Sequence, residues 1–160
     1  MIVCKFGGTS VASAEQIKKV ADIVKSNPKR KIVVVSAPGK RFGDDIKVTD
    51  LLIDLAGAAL KNGNVEEKLQ NVVDRYKDIA KGLGLDDKIV EVIAKDLKER
   101  VEFDKSNLEL YIDSIKASGE DNNAKLIAAY FNSIGLKAKY VSPKEGLVVN
   151  DPPERTFALP

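Results

Sequence analysis

Apolar positions along the chain change their spacing several times, and each change predicts an element. Ile2 to Phe6 (IVCKF) is a short β-rich apolar run bounded by Gly7-Gly8, which reads as a buried strand. In AEQIKKVADIVKSN the apolar residues Ile17, Val20, Ala21 and Val24 recur at helical spacing behind a capping Ser13, and Asn27-Pro28 provides the stop. KIVVVSAPG follows, apolar at every position from Ile32 to Val35, as expected of a strand covered on both faces. Strand, helix and strand in this order predict a parallel βαβ unit.

Residues 46–117 read as a long helical region with breaks at Asn62-Gly63-Asn64 and Gly82-Leu83-Gly84. Its segments are VTDLLIDLAGAAL, VEEKLQNVVDRYKDIA and DKIVEVIAKDLKERV, the last with an apolar stripe of Ile89, Ile93, Leu97 and Val101, and NLELYIDSIKA adds a short helix. These helices carry no obvious chemistry and are expected to cover the sheet or a neighbouring subunit. A separate helix is predicted from SGEDNNAKLIAAYFNSIG. Ser118 and Asp121 match a capping signature there, Ala124, Ile127, Ala128, Phe131 and Ile134 form the apolar face, and Gly135 closes it. LKAKYVS reads as a strand, LVVN as a further strand or hairpin arm, and the tail DPPERTFALP ends without a polar, frayed terminus.

Composition narrows the chemistry. The 160 residues suit one domain, and 44% hydrophobic with 31% charged residues is the balance of a folding, globular chain. The net charge of +2 arises from 26 basic and 24 acidic residues interspersed along the sequence, so no basic block points to nucleic acid. A single cysteine, Cys4, excludes an internal disulfide framework and favours the cytoplasm; inside the first strand it reads as a small core residue. No apolar run approaches the ~20 residues that span a bilayer. Histidine is absent, which removes Ser-His triads and histidine-based zinc sites. Chemistry must then run on carboxylates, lysines, hydroxyls and backbone.

The candidate site lies in KFGGTS. Adjacent glycines let the main chain turn tightly and bring N–H groups close to a bound anion, which a Cβ would obstruct. The motif is neither a Walker A loop nor a G-x-G-x-x-G fingerprint. Lys5 stands just before the glycines at the carboxyl end of a parallel strand, where open α/β sheets bind ligands, and an ammonium beside backbone donors suits a polyphosphate. Ser36 ends the second strand at the same edge. Thr49 reads as a helix N-cap whose hydroxyl can also face a ligand, and Glu120 as a first-turn carboxylate favoured by the helix dipole. Each feature also has a local reading: a tight turn, a strand-terminal serine, a cap.

Together these pieces resemble the aspartate kinase family of the amino-acid kinase superfamily. The likeness is carried by K-F-G-G-T-S-V at Lys5 to Val11, V-V-V-S-A at Val33 to Ala37, V-T-D-L-L at Val48 to Leu52 and S-G-E-D-N-N-A-K-L at Ser118 to Leu126. It implies an α/β fold, a mostly parallel sheet flanked by helices in an α/β/α sandwich, here truncated and with a helical insertion at about 46–117. It also implies phosphorylation of the side-chain carboxylate of L-aspartate by ATP with Mg²⁺, giving aspartyl phosphate on the way to lysine, threonine and methionine. Lys5 would be catalytic, with Lys5, Phe6, Gly7, Gly8 and Ser36 on the phosphate side, while Thr49 and Glu120 would hold the amino acid. Many family members carry an arginine shortly after the S-G-E glutamate, where this chain has Asp121.

Typical aspartate kinases continue into a nucleotide-binding half and paired regulatory ACT domains. The sequence therefore resembles the N-terminal portion of the kinase domain, and alone it is expected to turn over little or no substrate. A truncated sheet with an apolar face or free edge is expected to drive association into a homo-oligomer. Two other readings stay open: an amino-acid kinase with another acceptor such as glutamate, and a non-catalytic α/β module that binds subunits or an effector.

Overall fold

A computed structural model of the chain describes residues 1–142 and Glu145. Strand β1 (Ile2–Phe6) runs into a short 3₁₀ turn (Gly8–Val11), helix α1 (Ala14–Lys25) and strand β2 (Arg30–Val35). Helices α2 (Val48–Leu60), α3 (Val65–Gly82), α4 (Lys88–Val101) and α5 (Leu108–Ser133) follow. β1 and β2 pair in parallel, with Val3 beside Ile32, Cys4 beside Val33, Lys5 beside Val34 and Phe6 beside Val35.

The helix boundaries follow from local chemistry. The Ser13 hydroxyl accepts the Gln16 N–H at 3.3 Å, and Asn64 and Asn107 cap α3 and α5 by accepting from Glu67 and Leu110. At the end of α5, Gly135 takes φ of 78°, a left-handed conformation that costs glycine least. The Leu136 N–H then reaches the Phe131 carbonyl at 2.9 Å and the Gly135 N–H the Asn132 carbonyl at 3.1 Å, which closes the last turn in a Schellman motif. The pattern recurs at Gly84, where Leu85 donates to Ala80 and Gly84 to Lys81.

The core is helical. Tyr76, Tyr111, Ile17, Leu52, Leu55, Ile93, Leu97 and Ile115 are fully buried, and each apolar side chain removed from water contributes about 1.5–3 kcal/mol. α2 packs against α3 and α5, and α4 bridges α3 and α5. In the α4 stripe, Ile93 and Leu97 are buried while Ile89 and Val101 pack at its margin. Of the sheet, Phe6, Val33 and Val35 meet this core.

Three expectations are corrected. The strands are not covered on both faces: Val3, Ile32 and Val34 are 59%, 43% and 46% exposed, because among the described residues all the packing is on the Phe6 and Val35 side. The two helices expected around Ser118 are one helix, α5, running unbroken from Leu108 to Ser133. Ser118 does not cap; its hydroxyl donates to the Ile115 carbonyl at 2.5 Å, back-bonding that satisfies a buried mid-helix serine. Glu120 is consequently mid-helix, and the first-turn dipole argument does not apply to it. Finally, LKAKYVS forms no strand. Its backbone pairs with a side chain: the Asn132 amide accepts from the Ala138 N–H at 3.0 Å and donates to the Ala138 carbonyl at 2.9 Å. LVVN and the tail lie outside the described residues.

Candidate active site

Parallel pairing sets the strand ends side by side, so the turn after β1 and the loop after β2 emerge together. The Ser36 N–H donates to the Phe6 carbonyl at 3.0 Å, and the Gly39 N–H to the Gly8 carbonyl at 2.9 Å. These backbones approach so closely that side chains would not fit. A Cβ on Gly39 would lie 2.7 Å from the Gly8 carbonyl carbon, and one on Gly8 would lie 3.0 Å from the Ala37 carbonyl oxygen. Gly7 differs, with open space where its Cβ would be. Of the two glycines expected to need a bare backbone, only Gly8 makes a close approach within the protein.

A cleft of about 430 Å³ opens over this junction, lined by Gly8, Thr9, Ser36, Ala37, Pro38, Gly39, Lys40, Lys47, Thr49 and Glu120. The structure thus brings together Gly8, Ser36, Thr49 and Glu120, although Glu120 is 84 residues from Ser36 in sequence. Phe6 packs towards the core, Gly7 stands just outside the lining, and Lys5 projects from the exposed face of β1 beside Val34. Thr49 is not the N-cap of α2, since that position is Lys47, which makes no side-chain cap bond. Thr49 sits in the first helical turn instead, beside Val48, whose N–H donates to the Pro38 carbonyl at 3.0 Å and so ties the start of α2 to the loop after β2.

Sequence reasoning missed Thr9, Lys40 and Lys47. Lys40 lies in the loop of residues 36–45, and its ammonium donates to the Gly43 carbonyl at 3.2 Å. Lys47 precedes α2 and carried no motif. The lysine spacing around Pro38-Gly39 was the available signal, and it has meaning only once the loop is known to fold back over Gly8. A lining that combines two lysines and close-packed backbone with a single carboxylate suits a ligand that carries both anionic groups and an amine.

The floor of the cleft is held from below by α5 and α3. Asn123 is fully buried and donates to the Ser36 carbonyl at 2.7 Å. Tyr76, also fully buried, donates to the Gly119 carbonyl at 2.7 Å; burial, with the carboxylates of Asp96, Asp121 and Glu120, pushes its hydroxyl far above the usual range, so it stays a donor. Gly119 lets α5 approach, because a Cβ there would lie 2.9 Å from both the Ala37 Cβ and a Leu52 methyl.

Asp121, next in sequence to Glu120, is absent from the cleft lining. It pairs with Arg100 at 3.0 Å and Lys125 at 2.8 Å and accepts from the Tyr140 hydroxyl. Asp96 joins the same network through Arg100, Asn122 and Lys125. Burial acts to raise the Asp96 carboxyl, but hydrogen bonds from Arg100 and Asn122 and the charges of Arg100 and Lys125 outweigh it and hold it below the usual range. Asp121 thus serves to fasten α4 and residue 140 to α5.

Among the described residues, no three histidine, cysteine, aspartate or glutamate side chains gather into a metal site, and the cleft contributes one carboxylate among lysines. That donor set does not fit a protein-held Mg²⁺.

A model of the amino acid kinase family matches residues 1–157. This chain belongs to that family. It is 55% identical to aspartokinase 3 of Bacillus subtilis (strain 168), with all of this chain aligned to 36% of that protein. Its fold matches the aspartate kinase of Clostridium acetobutylicum with a TM-score of 0.73 at 32% identity, over 82% of this chain and 29% of that one. It also matches Escherichia coli aspartokinase III in complex with aspartate and ADP, with a TM-score of 0.64 at 25% identity, over 84% and 29% of the two chains. The chain therefore spans about a third of the length of these relatives. The parallel α/β class expected from the sequence agrees with these structures, and no described helix is long and apolar enough to cross a membrane.

Proposed function

We propose that the chain forms the acceptor and phosphate side of an aspartate kinase active site, transferring the γ-phosphoryl group of ATP to the side-chain carboxylate of L-aspartate. The observation that carries this is the convergence of Gly8, Ser36, Thr49 and Glu120 on one cleft, joined by Lys40 and Lys47. Backbone donors around Gly7 and Gly8, with Lys40 and Lys47, would hold phosphate oxygens. Lys5, on the outer face of β1, would offset charge on the transferring group. Glu120 would hold the α-ammonium of the amino acid, with Thr49 beside it. Mg²⁺, which kinases of this kind use to neutralise phosphate charge, would be held chiefly by the phosphates.

The chemistry matches the composition. A carboxylate with pKa ~3.9 is already ionised at neutral pH, so the nucleophile needs no base and the absence of histidine is no obstacle. What the reaction requires is the alignment of two anions and the offset of their repulsion. Because the chain spans about a third of its relatives' length, we expect the 160 residues alone to yield little or no acyl phosphate in a hydroxamate assay. Residues 1–160 are on this reading the N-terminal portion of the kinase domain, and the open face of β1 and β2 is where copies would associate.

ATP and L-aspartate titrated separately by calorimetry test the assignment. Lys5→Ala should weaken ATP at least tenfold and leave aspartate unchanged, and Glu120→Gln should do the reverse. Binding of neither ligand, or equal effects of both substitutions on both ligands, would remove the kinase reading in favour of a non-catalytic module.

A further inference from the structure

Arg75 of α3 belongs to the helical region that sequence reasoning left without chemistry, yet its guanidinium is 4% exposed and reaches three separate segments. One terminal nitrogen donates to the Asp45 carboxylate at 2.8 Å; the other donates to the Gly39 carbonyl at 2.7 Å and the Ala12 carbonyl at 3.1 Å. Gly39 is the residue whose N–H holds Gly8, and Ala12 ends the 3₁₀ turn that follows Gly8. Arg75 itself is absent from the cleft lining.

Asp45 makes the arrangement a closed one. It is 8% exposed and accepts from the Arg41 backbone N–H and from two nitrogens of the Arg41 guanidinium, all at 2.8 Å, so both ends of the 39–45 loop are tied to one carboxylate and one guanidinium. The Nε of Arg75 has no partner among the described residues. A buried ion pair that leaves a donor unmet is a poor source of stability compared with apolar packing of the same volume. What it supplies is fixed geometry: the two terminal nitrogens of one planar group hold the Asp45 carboxylate and the Gly39 and Ala12 carbonyls at set angles.

We propose that Arg75, with Asp45, is the positioning residue for the anion side of the cleft, setting Gly39 and, through the Gly39 N–H bond to the Gly8 carbonyl, the turn at Gly8 whose backbone meets phosphate oxygens. This rests on reading that side of the cleft as a phosphate site. Arg75 touches no ligand; it acts through Gly39 and Ala12. Lysine cannot replace it, because one ammonium cannot span Asp45 and both carbonyls.

The test uses tripolyphosphate, titrated by ³¹P NMR line broadening, together with amide hydrogen exchange of the chain without ligand. Arg75→Met, and Arg75→Lys as the charge-conserving variant, should each weaken tripolyphosphate about tenfold and speed exchange across residues 37–45 at least tenfold. Exchange in α4 and α5, and aspartate affinity, should stay within about twofold. Arg75→Met combined with Asp45→Asn leaves no buried charge unpaired, since Arg41 is part-exposed and keeps Asp78 at 3.7 Å, so it should melt closer to the parent than Arg75→Met while tripolyphosphate stays weak; a purely structural pair would recover both. Rescue of affinity by that double variant or by Arg75→Lys, or exchange that rises uniformly or not at all, would overturn the proposal. Should the parent bind neither ATP nor tripolyphosphate, the phosphate reading falls, and the exchange pattern still decides whether Arg75 sets the loops.

Discussion

Replacing Gly39 with alanine tests whether the two loop backbones are in as close contact as the cleft requires. The added Cβ would stand 2.7 Å from the Gly8 carbonyl carbon and 2.9 Å from both the Gly8 oxygen and the Thr9 nitrogen. All three are main-chain atoms, so no side chain can rotate away. Ordinary carbon–carbon contact begins near 3.5 Å, so the loops must part by roughly 0.8 Å. That would stretch the 2.9 Å bond from the Gly39 N–H to the Gly8 carbonyl to about 3.7 Å, beyond hydrogen-bond reach. Overpacking strain of about 1–3 kcal/mol, with about 1 kcal/mol for the lost bond, gives a cost of roughly 2–4 kcal/mol. For a chain of this size each kcal/mol moves the melting temperature by about 2–4 °C, so thermal circular dichroism should show a fall of roughly 4–16 °C. Gly7→Ala is the internal control. Its Cβ meets nothing, its φ of −74° suits alanine, and its melting temperature should hold or rise slightly. If Gly39→Ala melts within about 1 °C of the parent, the loops are not locked together and the account of the cleft fails.

Gly119→Ala sets two effects against each other. Alanine gains about 1 kcal/mol in a helix interior, while a Cβ 2.9 Å from Ala37 and Leu52 costs about 1–3 kcal/mol, so a net loss of about 1 kcal/mol should appear as a lower urea midpoint. A gain would mean that α5 can move off Ala37. The pH dependence follows from Asp96, whose folded carboxyl lies below its ordinary value of 3.8. The unfolded chain therefore takes up that proton first as pH falls, so the contribution of Asp96 is full above about pH 5 and is lost as pH drops through the folded value. Asp96→Asn should unfold more readily at pH 7 and show a shallower loss of stability between pH 5 and 2; an unchanged acid limb would mean that Arg100 and Lys125 do not favour the charged form.

The elements with strong local signals were legible in the sequence. β1, α2 and the two glycine-marked helix ends emerge as the pattern predicts, because short-range turn and helix chemistry fixes them without tertiary help. The misreadings are tertiary in origin. Ser118-Gly119 resembles a helix start in isolation, yet the helix continues because Tyr76 takes the Gly119 carbonyl and Ala37 needs the missing Cβ. LKAKYVS has strand composition, but at its centre the Asn132 amide takes both backbone groups of Ala138. For the site, Gly8, Ser36, Thr49 and Glu120 could be picked by motif, whereas Lys40, Lys47 and Arg75 depend on a fold-back of the 36–47 loop that no periodicity encodes.

The bare outer side of the two strands bears on the charge at Lys5. That ammonium stands among Val3, Ile32 and Val34 on the uncovered surface, where water now surrounds it. Any apolar body laid across Val3, Ile32 and Val34 would strip that hydration and strengthen the attraction between the ammonium and any neighbouring anion. A contact made on the rear of the sheet would thus reach this lysine without ever entering the cleft.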